Sequence, residues 1–321
     1  MAYRLGVVMD PIEGITPYKD TTLAMLLEAQ QRGWEIRYLT LADLSLRDGV
    51  AYGDGAQLEV RDNNQDWFTL DAREDEPLAN LDAILMRKDP PVDSAYVYAT
   101  HILEIAERAG VLVINRPSGL RDVQEKLAIA HFPDCCTPTV VEMKAEPLKA
   151  FINAQERAVL KPLHGMGGEA IFVVYAGDPN TSVIIEQLSE RGTRYVMAQR
   201  YLPEISDGDR RILVIDGEPA PFALARMPAA GESRGNLAAG GRGVASPLTD
   251  REHWIVEQVK PRLIEHGILF AGLDVIGGYL TEVNVTSPTC VREIDAQQGT
   301  NLSGDLFAAI ERRLRLSRPE A

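Results

Sequence analysis

The chain has 321 residues, 45% apolar and 25% charged, an ordinary composition for a soluble globular protein with room for two or three domains. A net charge of −14 argues against a general nucleic-acid or anionic-membrane surface, so any phosphate ligand must find its cations gathered locally. Cys135, Cys136 and Cys290 have no metal spacing and make a poor disulfide framework, which suits a reducing cytoplasm, and no stretch reads as a signal peptide or membrane span.

In chain order, residues 3–9 read as a buried strand ending at Asp10-Pro11. A helix follows from an Asp20 N-cap to a glycine stop at Gly33. Strands are expected at 34–40, 81–86 and 111–114, with a helix over 96–109, while residues 44–80 mix turns and short strands. This alternation predicts an N-terminal α/β domain with a parallel sheet. Polar clusters follow its strands at Asp10, at Arg87-Lys88-Asp89 and at Asn115–Ser118, the edge where open α/β sheets bind ligands. From Gly119 the pattern becomes α+β. A helix is expected over 120–132, carrying Glu125 and Lys126, then strands at 139–143, 158–161, 170–175 and 195–201, with helices over 147–154 and 182–190. Further strands are expected at 211–215 and 222–226, with helices over 250–266 and 301–316.

The chemistry concentrates in three places. Gly165-Met166-Gly167-Gly168 sits between two strands, so it is neither a dinucleotide fingerprint nor a P-loop. Such a loop folds over a triphosphate with its N–H groups aimed at the oxygens, and Lys161 and Lys126 are candidate cations beside it. A second segment, 226–243, carries Arg226, Arg234 and Asn236 among five glycines, as suits a lid over an anionic centre. The third is the hairpin Phe270–Val285, whose apolar run is interrupted by Asp274, Glu282 and Asn284. Two carboxylates and an amide oxygen form a hard-oxygen set suited to Mg²⁺. A plain two-residue Gly277-Gly278 loop would set Asp274 opposite Thr281. A three-residue loop or a bulge would set it opposite Glu282, and one shared metal cluster calls for the longer loop.

Taken together, Met86-Arg-Lys-Asp-Pro-Pro, Lys161-Pro-Leu-His-Gly-Met-Gly-Gly, Arg234-Gly-Asn-Leu-Ala-Ala-Gly-Gly-Arg-Gly and Leu280-Thr-Glu-Val-Asn-Val-Thr-Ser-Pro-Thr-Cys make nearly the whole chain resemble the bacterial glutathione synthetases, which are ATP-grasp ligases. The resemblance implies an N-terminal α/β substrate domain (1–122), a central ATP-grasp lid domain (123–202) and a C-terminal ATP-grasp domain (203–321). It implies ATP contacts at Lys126, Lys161 and Gly165–Gly168, and an adenine hinge at Gln199, Arg200, Tyr201 and Leu202. Asp274, Glu282 and Asn284 match the family's ligands for Mg²⁺ or Mn²⁺. Asp209, Arg211, Arg226, Arg234 and Asn236 match positions around an acyl phosphate. Arg87, Asp89, Asn115, Ser118 and Arg292 are implied to hold substrate. The implied reaction joins glycine to γ-L-glutamyl-L-cysteine through an acyl phosphate, in a cytoplasmic homotetramer with no nucleic-acid or membrane partner. Rival readings are another ATP-grasp carboxylate–amine ligase, of the D-alanine–D-alanine or glutamate-adding kind, and a non-catalytic ATP sensor. Intact Asp274, Glu282, Asn284 and Arg226 argue against the sensor.

Overall fold

A computed structural model describes residues 2–228 and 242–317, and among these the chain forms three β-sheets and eight α-helices. The first sheet comprises β1 (Arg4–Val8), β2 (Glu35–Leu39), β3 (Leu44–Arg47), β4 (Val50–Val60), β5 (Phe68–Pro77), β6 (Ala83–Met86) and β7 (Leu112–Ile114). β1 pairs in parallel with β2 on one side and β6 on the other, and β6 pairs in parallel with β7. The apolar runs of residues 5–8, β6 and β7 suit strands covered on both faces, whereas Glu35 and Arg37 interrupt β2. Helix α1 (Thr21–Gln31) packs on one face and α2 (Ser94–Arg108) on the other. Asp20 caps α1 as expected, its Oδ1 accepting from the Leu23 N–H at 2.6 Å. At the far end the N–H groups of Gly33 and Trp34 donate to the carbonyls of Gln30 and Ala29, a Schellman stop.

The expected parallel sheet is only part of this one. β3, β4 and β5 extend it as an antiparallel meander, making a mixed sheet. The segment is hard to read because Gly53 and Gly55 look like turn punctuation. They lie within β4 instead, where a Cβ on Gly53 would come within 2.8 Å of Leu78 and 2.9 Å of Leu39.

After α3 (Pro117–Asp122) the helix expected through Phe132 breaks off. The side chains of Gln124, Glu125 and Lys126 each reach a distant backbone segment here. The Gln124 Oε1 accepts from the N–H groups of Lys126 and Leu127, while its Nε2 donates to the Leu163 carbonyl. The second sheet, β8 (Thr139–Glu142), β9 (Arg157–Pro162), β10 (Phe172–Tyr175) and β11 (Val196–Arg200), runs β10-β9-β11-β8 and is antiparallel throughout. With α4 (Ala145–Gln155) and α5 (Thr181–Leu188) it encloses a small core of its own, including Leu148, Ile152, Leu160 and Val196.

The third sheet holds β12 (Asp209–Ile215), β13 (Glu218–Pro219), β14 (Phe222–Met227), β15 (Arg242–Pro247), β16 (Phe270–Ile276) and β17 (Tyr279–Asn284), packed with α6 (Asp250–Glu265), α7 (Val291–Gln298) and α8 (Leu302–Ser317). The helix α7 is one that sequence patterning did not foresee. The first and third sheets share continuous apolar cores, one of which also takes in Met197 of β11, with Trp34 edge-on to Phe307 at 5.2 Å. Several polar ties cross this seam, and one amide makes four of them. Asn115, at the end of β7, donates to the carbonyls of Phe270 (2.8 Å) and Val285 (2.7 Å) and accepts from the N–H groups of Leu269 (2.8 Å) and Phe270 (2.9 Å).

Replacing that amide strands buried backbone groups, which costs about 1–3 kcal/mol each when no water reaches them. Asn115→Ala is expected to lower the thermal midpoint by several degrees, whereas Ser118→Ala, half-buried on α3, should leave it nearly unchanged. Differential scanning calorimetry on both variants checks this.

Candidate active site

The three sheets meet at a cleft of about 640 Å³. Its floor is the β16–β17 hairpin, and here the sequence left two geometries open. The turn is the short one: Ile276 pairs with Tyr279 across Gly277-Gly278, whose φ values of +56° and +78° fit a type I′ turn. The register then shifts between Val275 and Asp274, so that Val275 faces Leu280 but Asp274 faces Glu282. A β-bulge at Thr281 therefore does what a longer loop was expected to do. It brings Asp274, Glu282 and Asn284 to the cleft wall together.

The neighbouring strands supply the opposite charge. Register sets Arg211 of β12 beside Asp274, and Asp209 beside Arg226 of β14. The Arg211 Nε and Nη2 donate to Asp274 Oδ1 and Oδ2 at 2.5 and 3.0 Å. The Arg226 Nη2 bridges Asp209 Oδ2 (2.5 Å) and Asp274 Oδ2 (3.0 Å). Burial penalises the Asp274 charge, yet the two guanidiniums outweigh it and hold this carboxyl well below the usual range. Burial pushes the Asp209 carboxyl upward, against the pull of Arg226, and its Oδ1 is buried with no partner among the described residues. Lys126 and Lys161, both buried, reach Glu282 Oε1 at 3.8 and 3.7 Å. The Lys126 Nζ also donates to the Gly165 carbonyl and the Lys161 Nζ to the Thr281 carbonyl. Burial, reinforced by Lys126, lowers the Lys161 pKa. Four cations thus face three carboxylates, an excess of positive charge at one end of the cleft.

Gly165–Gly168 link antiparallel β9 and β10 and line the cleft, as do Gln199, Arg200, Tyr201 and Leu202 at the end of β11. The Gln199 Nε2 donates to Thr139 Oγ1, and the Arg157 guanidinium lies 3.6 Å over the Tyr201 ring. Glu125, adjacent to Lys126, accepts from Val285 N, Thr286 N and Thr286 Oγ1 and so fixes the end of β17. Arg234 and Asn236 lie outside the described residues.

The five substrate candidates separate. Asp89 lines the cleft, while Arg87, Asn115, Ser118 and Arg292 do not. Arg87 is buried, donating to Thr22 Oγ1 (3.1 Å) and the Pro288 carbonyl (2.9 Å). Asn115 is saturated by the four hydrogen bonds of the seam. Arg292 donates to the Pro17 carbonyl at 3.0 Å and pairs with Asp62. In place of these four the wall carries Asp10, Lys19, Asp20, Glu125 and Glu293. Sequence reasoning missed Glu293 because α7 was not assigned. Its signal was an acidic residue just after the hairpin's Thr-Ser-Pro-Thr-Cys.

The family model for the prokaryotic glutathione synthetase N-terminal domain matches residues 3–121, and that for the prokaryotic glutathione synthetase ATP-grasp domain matches residues 125–299. The chain belongs to the prokaryotic glutathione synthetases. It is an ATP-dependent ligase that makes glutathione. The glutathione synthetase of Pseudomonas aeruginosa is 55% identical over 314 residues, 98% of this chain and 99% of the relative. That of Escherichia coli K12 is 54% identical over 311 residues, 97% and 98% of the two chains. Among solved structures, the ATP-grasp ligase PsnB complexed with minimal precursor, Mg and ADP superposes with a TM-score of 0.62 at 16% identity, covering 97% of this chain and 98% of that one. The D-cycloserine synthetase DcsG gives 0.67 at 13% identity, covering 97% and 99%. These two share the fold.

Gly272, opposite Asn284 in the hairpin, tests the arginine pair. A Cβ there would lie 2.9 Å from the Arg211 Cδ and 3.1 Å from its Nε, displacing the guanidinium from Asp274. Gly272→Ala is expected to cut kcat for glutathione formation by about tenfold to hundredfold, consistent with losing part of a charge-stabilising contact, while the far-ultraviolet circular dichroism stays unchanged. Steady-state kinetics decides it.

Proposed function

We propose that this chain joins γ-L-glutamyl-L-cysteine to glycine by way of an acyl phosphate, with ATP bound between the glycine loop and the β16–β17 hairpin. The observation that supports this most directly is the cation-rich end of the cleft, where Lys126, Lys161, Arg211 and Arg226 converge beneath Gly165–Gly168. Gln199–Leu202 would seat the adenine. The two lysines would bind phosphate oxygens, and the loop N–H groups would cover them. Arg211 and Arg226 would hold the dipeptide carboxylate as it attacks the γ-phosphorus, then neutralise the acyl phosphate. When the amine of glycine attacks the acyl carbon, the same guanidiniums would stabilise the oxyanion, and phosphate would leave. Arg234 and Asn236 are proposed at the same centre. The chain's own groups thus position and neutralise, and no covalent enzyme intermediate is needed.

The residues fit a hard divalent cation, Mg²⁺ or Mn²⁺. The donor set is all oxygen, and Asn284 Nδ2 donates to the Gly272 carbonyl and to Asp274 Oδ2, both at 3.2 Å, which keeps its carbonyl oxygen as the acceptor. Asp274, Glu282 and Asn284 would hold the ion, which would supply charge neutralisation to the phosphates during transfer. Division into units 1–122, 123–202 and 203–321, cytoplasmic location and assembly as a homotetramer are proposed alongside, the last checked by light scattering on the purified chain.

Phosphate release from ATP is expected to require both γ-glutamylcysteine and glycine, with glutathione formed in equal amount and D-alanine unable to replace them. Release with other pairs alone would discard the substrate assignment. Glu282→Gln should lower kcat by about hundredfold or more, as loss of a charge-stabilising group at a phosphoryl-transfer centre does, and weaken Mn²⁺ binding measured by electron paramagnetic resonance. Wild-type rates and Mn²⁺ affinity in this variant would refute the metal assignment.

A further inference from the structure

β17 is an outermost strand of the third sheet, with β16 pairing along one of its edges. N–H groups on the other edge need partners from outside the sheet. One residue supplies them. The Glu125 carbonyl accepts from the Val283 N–H at 2.9 Å, and its Oε1 accepts from the N–H groups of Val285 (2.9 Å) and Thr286 (3.0 Å) and from Thr286 Oγ1 (2.8 Å). Val283 lies between Glu282 and Asn284, and Val285 follows Asn284, so Glu125 holds the backbone next to two of the three proposed metal ligands. Its neighbours in sequence reach the phosphate end of the cleft. The Gln124 Nε2 donates to the Leu163 carbonyl at the foot of the glycine loop. The Lys126 Nζ donates to the Gly165 carbonyl and lies 3.8 Å from Glu282 Oε1. Three consecutive residues thus tie the glycine loop, a candidate phosphate cation and the hairpin strand to one short segment.

Resting on the metal reading above, we propose that Glu125 is a positioning residue for the divalent cation. By occupying the free edge of β17 it holds Glu282 and Asn284 at a fixed distance from Lys126 and the glycine loop. The strand does not need Glu125 to stay in the fold, because β16 pairs along it and Asn115 holds the Val285 carbonyl. What Glu125 adds is alignment, and a cation such as Mg²⁺, with ligands at about 2.0–2.1 Å in near-octahedral order, is sensitive to small shifts of its ligands. Reach, not charge, is what this role requires. Three donors converge on one oxygen, and an amide oxygen accepts as a carboxylate oxygen does. Glu125→Gln therefore keeps the brace. Glu125→Asp keeps the charge, but its side chain is one carbon–carbon bond shorter, about 1.5 Å, and falls outside hydrogen-bond range. A carboxylate acting directly on a ligand in the cleft, which Glu125 also lines, would give the opposite ranking.

The test compares Glu125→Gln, Glu125→Asp and Glu125→Ala with the wild-type protein. Affinity for Mn²⁺ alone is measured by electron paramagnetic resonance, and kcat and the KM for γ-glutamylcysteine by steady-state kinetics. All are recorded well below the thermal midpoint, which calorimetry supplies. Glu125→Asp and Glu125→Ala should lose about tenfold to hundredfold in Mn²⁺ affinity and in kcat, the scale of removing a group that orients metal ligands, with the dipeptide KM unchanged. Glu125→Gln should stay close to the wild type in both. Impairment of Glu125→Gln beside a wild-type-like Glu125→Asp overturns the proposal in favour of a direct role for the charge. Lower thermal midpoints with unchanged Mn²⁺ affinity and kcat in all three variants overturn it in favour of a merely structural role. If Glu125→Ala fails to fold, the ranking of the other two variants still decides. Wild-type Mn²⁺ affinity that is indifferent to Glu282→Gln overturns the metal reading and the Glu125 proposal with it. Mn²⁺ binding that depends on Glu282 but not on Glu125 overturns the positioning role alone.

Discussion

A single buried carboxylate, Asp274, organises the catalytic end of this molecule. Arg211 grips both its oxygens, Arg226 shares one of them with Asp209, and Asn284 donates to it as well. Breaking one partner out of such a buried set costs several times what an exposed pair is worth, because the remaining charge has nowhere to go. Three adjacent strands, β14, β12 and β16, must keep their mutual register for the set to exist, and a one-residue slip would turn every member to the other face. The bulge at Thr281 adds a fourth strand by rotating Glu282 into line with Asp274.

The cores divide the labour differently. The first and third sheets are joined by shared apolar packing and by Asn115, whereas the central sheet encloses a small core of its own. The glycine loop belongs to the central sheet, and the carboxylates it faces belong to the third. Two lysines span the gap, Lys126 to the Gly165 carbonyl and Lys161 to the Thr281 carbonyl. Each ammonium has donors left beyond its one carbonyl, so a bound phosphate would share the same nitrogen atoms that tie the loop and the hairpin together.

Much of this was legible in the sequence where the determinants are local. The Asp20 cap, the glycine stop at Gly33, the apolar strands and the interrupted hairpin all depend on neighbours within a few residues. The candidate phosphate and metal residues were legible for a related reason, since charge inside apolar strand sequence has few inexpensive explanations. What could not be read depends on partners far along the chain. Asn115 looked like a ligand residue at a strand end, but its partners lie 155 and 170 residues away. Gln124–Lys126 looked like part of a helix, and Glu125 instead serves a strand end 160 residues on. Between Arg47 and Gln65, Gly49 does make a turn, but Gly53 lies where a strand approaches Leu39 and Leu78 too closely for a side chain.

Ligases that share this fold at 13–16% identity include PsnB and DcsG, so the architecture alone leaves the acceptor open. Polarity along the cleft is a more selective property. At one end buried Lys161 stands beside Lys126, Arg211 and Arg226, and a polyanion there offsets the mutual repulsion of these cations and stabilises the bound form. At the other end the carboxylates of Asp89 and Glu293 make the same polyanion unwelcome. A substrate with a carboxylate at its reacting end would be aligned by that gradient before any hydrogen bond forms. Under the proposed reaction its reacting carboxylate would then be drawn toward Arg211 and Arg226.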